Sequence, residues 1–270
     1  MFPHPAERGI PMLLAINIGN TNITCGGYAR DGKLAFSAKL FADSALSSDE
    51  LVYKLVNMLE LYGVSPLELD SAILASVVPA LTPRVREAIG KMTQAPLMTV
   101  GPGLKSGVRI RMDNPAQLGG ELLCAVVAAL RLAQPPLIVM NLDTAATMLA
   151  VDAGGSIVGG AILPGPGLAL DALVRNTAQL PQVELETSPK ALFGANTADS
   201  LHSGIVNGTA AMLDGMAARF AGELGAPEAP VIATGSLPQS IRAACRTPIR
   251  YRDTLILDGL FAIWQRNARR

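Results

Sequence analysis

An α/β fold made of two copies of one domain is what this sequence predicts, and three observations predict it. The first is an apolar run over 13–18, a polar turn Gly19-Asn20-Thr21-Asn22, and a return over 23–28 with β-branched residues and a glycine pair. That pattern reads as a hairpin with its first strand buried. The second is a repeat of the same plan about half a chain later: apolar residues over 137–140, a turn rich in Asn141, Asp143, Thr144 and Thr147, and an apolar return to Val151. The third is that each hairpin leads into further apolar strands alternating with amphipathic helices, as an α/β domain requires. Two such units imply a cleft between the copies.

Along the chain, Asp31-Gly32 turns the first hairpin into a third strand over 34–40, completing an antiparallel meander. Ser47-Ser48-Asp49-Glu50 caps a helix whose Leu51, Leu55, Met58, Leu59 and Tyr62 share one face, and Gly63 stops it. A buried strand over 71–78 runs into a turn at Pro79, with a helix over 83–89. The glycine-punctuated stretch 101–107 leads to a short strand ending at Ile110, then Asp113-Asn114-Pro115, Gly119-Gly120-Glu121-Leu122, and a helix over 121–132. After the second hairpin, Gly154-Gly155-Ser156 turns the chain into a glycine-rich strand over 157–163, then a helix over 168–178 and an irregular segment over 180–184. A long helix over 205–224, a strand over 230–234 ending at Gly235-Ser236, and a closing helix over 254–264 complete the second copy. The expected organisation is an extension over 1–11, disordered and rich in proline, a first lobe over 12–133 and a second over 134–270.

Composition narrows the function classes. Half of the 270 residues are hydrophobic, and Lys plus Arg equals Asp plus Glu at 22 each. A balanced charge argues against a nucleic-acid partner or an anionic membrane surface. No apolar run reaches the roughly 18 residues of a membrane span. The stretch 122–130 comes nearest and ends at Arg131. The three cysteines, Cys25, Cys124 and Cys245, lack metal-ligand spacing, and a sparse odd set suits reduced thiols in the cytoplasm.

The hairpin tips carry the candidate chemistry. Gly19 lets backbone approach a ligand closely, while Asn20, Thr21 and Asn22 offer amides and a hydroxyl suited to phosphate oxygens. Read alone, the same residues make an ordinary polar turn, and that reading holds equally for Thr144 and Thr147. Glu121 sits where a helix dipole stabilises a carboxylate, which explains it with or without catalysis. His202 has no nucleophile pattern around it and reads as a solvent or interface residue.

Taken together these stretches resemble the type III pantothenate kinases, over nearly the whole chain from Met12 to about Arg266. The passages that carry the resemblance are the two hairpins, the Ser76-Val77-Val78-Pro79 run, the Gly101-Pro102-Gly103 loop with Asp113-Asn114-Pro115, the Gly194-Ala195-Asn196-Thr197 turn, and Ala233-Thr234-Gly235. The resemblance implies two ribonuclease-H-like domains of the actin-like ATPase type with a nucleotide cleft between them. It implies ATP with Mg²⁺ and a monovalent cation, K⁺ or NH₄⁺, a cytoplasmic homodimer, and phosphorylation of pantothenate or a related small alcohol.

The resemblance also assigns residues. ATP and its phosphates would meet Asn17, Gly19, Asn20, Thr21, Asn22, Thr144, Ala145, Thr147 and Gly235; the acceptor would meet Asn114, Gly119, Gly120, Glu121, Leu122 and Thr197. Glu121 would be the catalytic base, and Asn17, Asn141 and Asp143 the metal positions. Several of these depart from the family's pattern. Asn17 and Asn141 stand where the family has Asp, Glu121 and Leu122 where it has Asp-Arg, Asp143 where it has Gly, and Ser236 where it has a second Gly. Glu keeps a carboxylate. Leu122 removes a bidentate donor, and two neutral amides weaken cation binding. A catalytically silent paralogue with a binding or regulatory role, or a kinase for a less charged acceptor, are the alternatives these departures leave open.

Overall fold

A computed structural model describes residues 11–268. The extension expected over 1–11 lies outside the described residues except for Pro11, which is exposed.

Continuous apolar runs at the centre, flanked by strands of mixed burial, build two five-stranded sheets. The first contains β1 (Met12–Ile18), β2 (Asn22–Ala29), β3 (Leu34–Phe41), β4 (Leu69–Ser76) and β5 (Leu97–Thr99), in the order β3-β2-β1-β4-β5. The second contains β6 (Leu137–Leu142), β7 (Ala145–Val151), β8 (Ile157–Pro164), β9 (Val231–Gly235) and β10 (Ile249–Tyr251), in the order β10-β9-β6-β7-β8. In each, three antiparallel strands form a meander and two parallel strands extend it past the first strand of the meander. The duplication read from the hairpins is therefore a duplication of topology.

The helices are α1 (Ser48–Leu61), α2 (Thr82–Met92), α3 (Gly120–Leu132), α4 (Pro166–Arg175), α5 (Thr197–Glu223), α6 (Gln239–Ala244) and α7 (Leu255–Ala268). α1 starts where Ser47 and Glu50 cap each other's backbone N–H, an arrangement worth about 1 kcal/mol. α5 begins at Thr197 rather than 205 because the Asn196 side chain caps it, accepting from the Asp199 N–H at 2.9 Å. Ser200, Gly204 and Gly208 dilute the apolar period there, which hid the first turns from sequence reading. α4 starts at Pro166 rather than 168, since proline has no N–H to lose in a first turn. The strand expected before Ile110 is only an isolated bridge between Ile110 and Ile157.

The chain divides into two compact units. One comprises the chain up to Gly107, Ala116–Ala128 and the part from Ile256 on; the other comprises Val108–Pro115 and Ala129–Leu255. α7 belongs to the first unit although it follows the second in the chain. Gly259 on α7 leaves no room for a Cβ against the Cys124 backbone of α3, and the Tyr28 and Phe261 rings stack at 5.0 Å.

Each sheet buries one face of its central strand in a core of its own. Leu14, Ile16 and Ile18 of β1 pack with Leu51, Leu55 and Leu59 of α1 and Val85 and Ile89 of α2. Ile138, Met140 and Leu142 of β6 pack with Val206, Ala210, Leu213 and Ala217 of α5. Side chains alternate along a strand, so Asn17 and Asn141 project from the opposite faces, one residue before each strand ends.

Candidate active site

In the first unit, the site is built at the end of β1. The turn closes with the Gly19 N–H donating to the Asn22 carbonyl at 2.9 Å, leaving Asn20 and Thr21 exposed at the tip. Asn17 lies 6% exposed between Thr24 of β2 and Ala75 of β4. α3 starts over the same strand ends: a Cβ on Gly120 would lie 3.3 Å from Val100 Cγ1 and 3.7 Å from Ala75 Cβ. Glycine at 120 thus lets the helix start settle beside Asn17. The Gly119 carbonyl accepts from the N–H groups of Leu122 and Leu123 at 3.1 Å each.

The consequence is a contact between two sequence-predicted residues 104 positions apart: Asn17 Nδ2 donates to Glu121 Oε2 at 3.4 Å. The Oδ1 of Asn17 is buried with no hydrogen-bond partner among the described residues. Rotating the amide would set Oδ1 against the carboxylate, so the charge on Glu121 fixes which atom is left over. An unmet buried oxygen costs about 1–3 kcal/mol, which a donor or cation arriving with a ligand would recover. Glu121 is half-exposed in the first turn of α3, where the helix dipole favours its negative charge. Burial first, and then this charge, push the Cys124 thiol pKa up, so neither Cys124 nor the fully buried Cys25 is a thiolate.

The second unit repeats the arrangement with different particulars. Asn141 is 5% exposed between Thr147 of β7 and Thr234 of β9. The turn is held by the Asp143 N–H donating to the Ala145 carbonyl at 3.1 Å, and Thr144 is exposed at its tip. Gly165 backs this turn, its N–H donating to the Thr144 carbonyl at 3.1 Å; a Cβ there would strike the carbonyls of Asp143 and Thr144. Gly235, with φ of +99°, packs its α-carbon on the Leu142 backbone, where no side chain fits. Tyr251 donates its hydroxyl to the Gly235 carbonyl at 2.5 Å, and the Arg242 guanidinium lies 4.8 Å from the centre of its ring. Burial first, then the charge of Asp253, raise the Tyr251 pKa, keeping the hydroxyl protonated as a donor.

Asn114 is exposed, and Leu122 is half-buried behind Glu121. Thr197 is the exposed first residue of α5. A surface groove of about 530 Å³ runs along α5 past Phe193, Ser200, Ser203, Gly204 and Asn207, and Thr197 is not among its walls. The His202 ring meets the Thr187 carbonyl at 2.9 Å, which occupies it structurally. Sequence reading missed Tyr251, Arg242 and Ala75. Their positions on β10, α6 and the end of β4 carry no motif, and only the packing reveals them.

The family model for type III pantothenate kinase matches residues 13–219. The chain belongs to the type III pantothenate kinase family. A relative named type III pantothenate kinase from Rubrobacter xylanophilus is 38% identical over 263 residues, covering 96% of this chain and 99% of its own length. Two solved structures share the fold. Component A of (R)-2-hydroxyglutaryl-CoA dehydratase from Acidaminococcus fermentans has a TM-score of 0.57 at 12% identity, covering 96% of this chain and 99% of its own. MreB 5 of Spiroplasma citri, solved bound to AMPPNP, has a TM-score of 0.56 at 8% identity, covering 96% and 97%. At such identities the likeness shows an actin-like ATPase fold and nothing finer.

The donor set decides how a metal would fit. Among the described residues no group of three or more His, Cys, Asp or Glu is placed to hold a metal ion. A magnesium ion carried by nucleotide phosphates needs only one or two protein carboxylates and keeps several waters. Within the second unit, Asp143, with Asn141 beside it, would offer one carboxylate of that kind.

Proposed function

We propose that this chain transfers the γ-phosphoryl group of ATP to the hydroxyl of pantothenate or a related small alcohol, the first step of coenzyme A biosynthesis. The observation that carries the proposal is the carboxylate of Glu121 at the start of α3, hydrogen-bonded by a buried amide at the end of β1. In the reaction, the alcohol oxygen bonds to the γ-phosphorus, the bond from that phosphorus to the bridging oxygen breaks, and ADP leaves. The hydroxyl proton passes to Glu121, the base. The residues proposed to donate to phosphate oxygens are Gly19, Asn20, Thr21, Asn22, Thr144, Ala145, Thr147 and Gly235. Asn114, Gly119, Gly120, Leu122 and Thr197 are the residues proposed for the acceptor. Mg²⁺, with waters, Asp143 and the amide oxygens, would offset phosphate charge, and K⁺ or NH₄⁺ would assist.

The proposal extends to a cytoplasmic homodimer acting on a small molecule, with no nucleic-acid or membrane partner. The charge balance of 22 basic and 22 acidic residues argues against a nucleic-acid partner, and no helix among the described residues is long and apolar enough to cross a membrane. The test is an ADP-release assay with ATP, Mg²⁺, K⁺ or NH₄⁺ and pantothenate, with the phosphorylated product identified by mass. Turnover that Glu121→Gln lowers about 100-fold or more supports the reading. No turnover, together with no rise in melting temperature at millimolar ATP, overturns it in favour of a silent paralogue.

A further inference from the structure

We infer that Asn17 is the positioning residue of Glu121: its amide N–H holds the carboxylate at the start of α3, and the two residues work only as a matched amide and acid. The inference rests on the proposed phosphotransfer, for which Glu121 is the base. The geometry is built for it. Asn17 is 6% exposed, so its amide cannot swing to solvent, and a Cβ added at Gly120 on α3 would lie 3.7 Å from the Cβ of Ala75, the neighbour of Asn17 across the sheet. The donor is Nδ2, the acceptor Oε2 at 3.4 Å, and among the described residues no donor pairs with the buried Oδ1. A longer acid at 121 reaches the strand, and an amide at 17 is what it can meet there. A second carboxylate at 17 would place oxygen against oxygen.

Restoring an acid at position 17 alone is therefore expected to harm this protein rather than improve it. Kinetics of the full chain with ATP, Mg²⁺ and pantothenate read the proposal. Asn17→Leu, close in size and without a donor, should lower kcat about 10- to 100-fold and leave KM for the acceptor within about twofold, as loss of a charge-assisted hydrogen bond to a base would. Asn17→Asp should lower kcat at least as far. Exchanging the roles with Asn17→Asp and Glu121→Gln together should return the melting temperature toward the wild-type value while turnover stays lost, because donor and acceptor are again opposite but the base is gone. Should Asn17→Leu not fold, Asn17→Ala supplies the same kinetic comparison.

An active wild-type protein whose kcat is unchanged by Asn17→Leu, or in which only KM moves, overturns the positioning role while leaving the kinase reading intact. Melting temperatures that add across the double variant, with no recovery, overturn the contact itself. A wild-type protein with no turnover overturns the kinase reading and the role of Glu121 with it, and the melting cycle still decides whether the pair is coupled.

Discussion

Tyr28 of β2 donates its hydroxyl to the carboxylate of Asp258 on α7 at 2.7 Å, joining residues 230 positions apart within one unit. The ring beneath that hydroxyl is only 2% exposed and stacks on Phe261. The end of the chain thereby closes over the sheet that carries Asn17. Removing the hydroxyl with Tyr28→Phe keeps the stacking and loses a hydrogen bond to a charged group. The expected cost is about 1.5–3 kcal/mol, read as a lower denaturation midpoint with an unchanged slope in urea.

Gly259 of α7 sits against Cys124 of α3 so closely that a Cβ would strike the Cys124 carbonyl oxygen and lie 2.8 Å from its α-carbon. Backbone on both sides leaves no flexible atom to yield. Gly259→Ala is expected to cost more than the roughly 1–3 kcal/mol of ordinary overpacking, although alanine favours helices by up to about 1 kcal/mol. A Gly259→Ala protein as stable as the wild type in urea would show that α7 can shift without loss.

Asp214 supplies an acid-sensitive tether in the second unit. Its carboxylate accepts from the N–H groups of Arg246 and Thr247 at 2.8 and 2.9 Å. Burial pushes its pKa up, but these bonds outweigh burial and hold it below the ordinary 3.8. A lowered carboxylate pKa contributes stability that is complete above 3.8 and is lost as pH falls below it toward the folded value. Asp214→Asn should therefore flatten the fall of stability below about pH 4 and lower stability at neutral pH. Parallel wild-type and variant curves of melting temperature against pH would contradict the assignment.

The fold was legible because its signals are local and repeated. Two polar turns after apolar strands announced both meanders, and Ser47 with Glu50 announced α1. What was hidden depends on contacts the sequence does not order. α5 lost its first turns behind Gly204 and Gly208, and α6 and β10 are too short to show a period. The candidate site divides the same way. Asn17 and Glu121 were each visible as members of motifs, yet nothing in their 104-residue separation said that one donates to the other. That pairing follows from Gly120 resting against Val100 and Ala75. Asn114 and Thr197 were picked by resemblance, and both stand exposed.

Asn267 near the end of α7 makes two hydrogen bonds to the backbone of Lys105, accepting from its N–H at 3.2 Å and donating to its carbonyl at 3.0 Å. This pins a loop that would otherwise be loose. Gly103 and Gly107 adopt φ of +92° and +82°, and a Cβ on Gly101 or Gly103 would meet nothing within 4 Å. Glycines in open space give the backbone a wide choice of conformations, so the ordering of the loop falls to the side chain that grips it. Asn267→Ala removes both bonds and leaves the helix intact, since alanine is the better helix former. Trypsin needs an unpinned segment around an exposed lysine, and Lys105 is exposed. Cleavage after Lys105 in the folded protein should accelerate about tenfold or more, the expectation for losing one to two hydrogen bonds of about 1 kcal/mol each. An unchanged cleavage rate would mean that the loop is held by its own turns and not by α7.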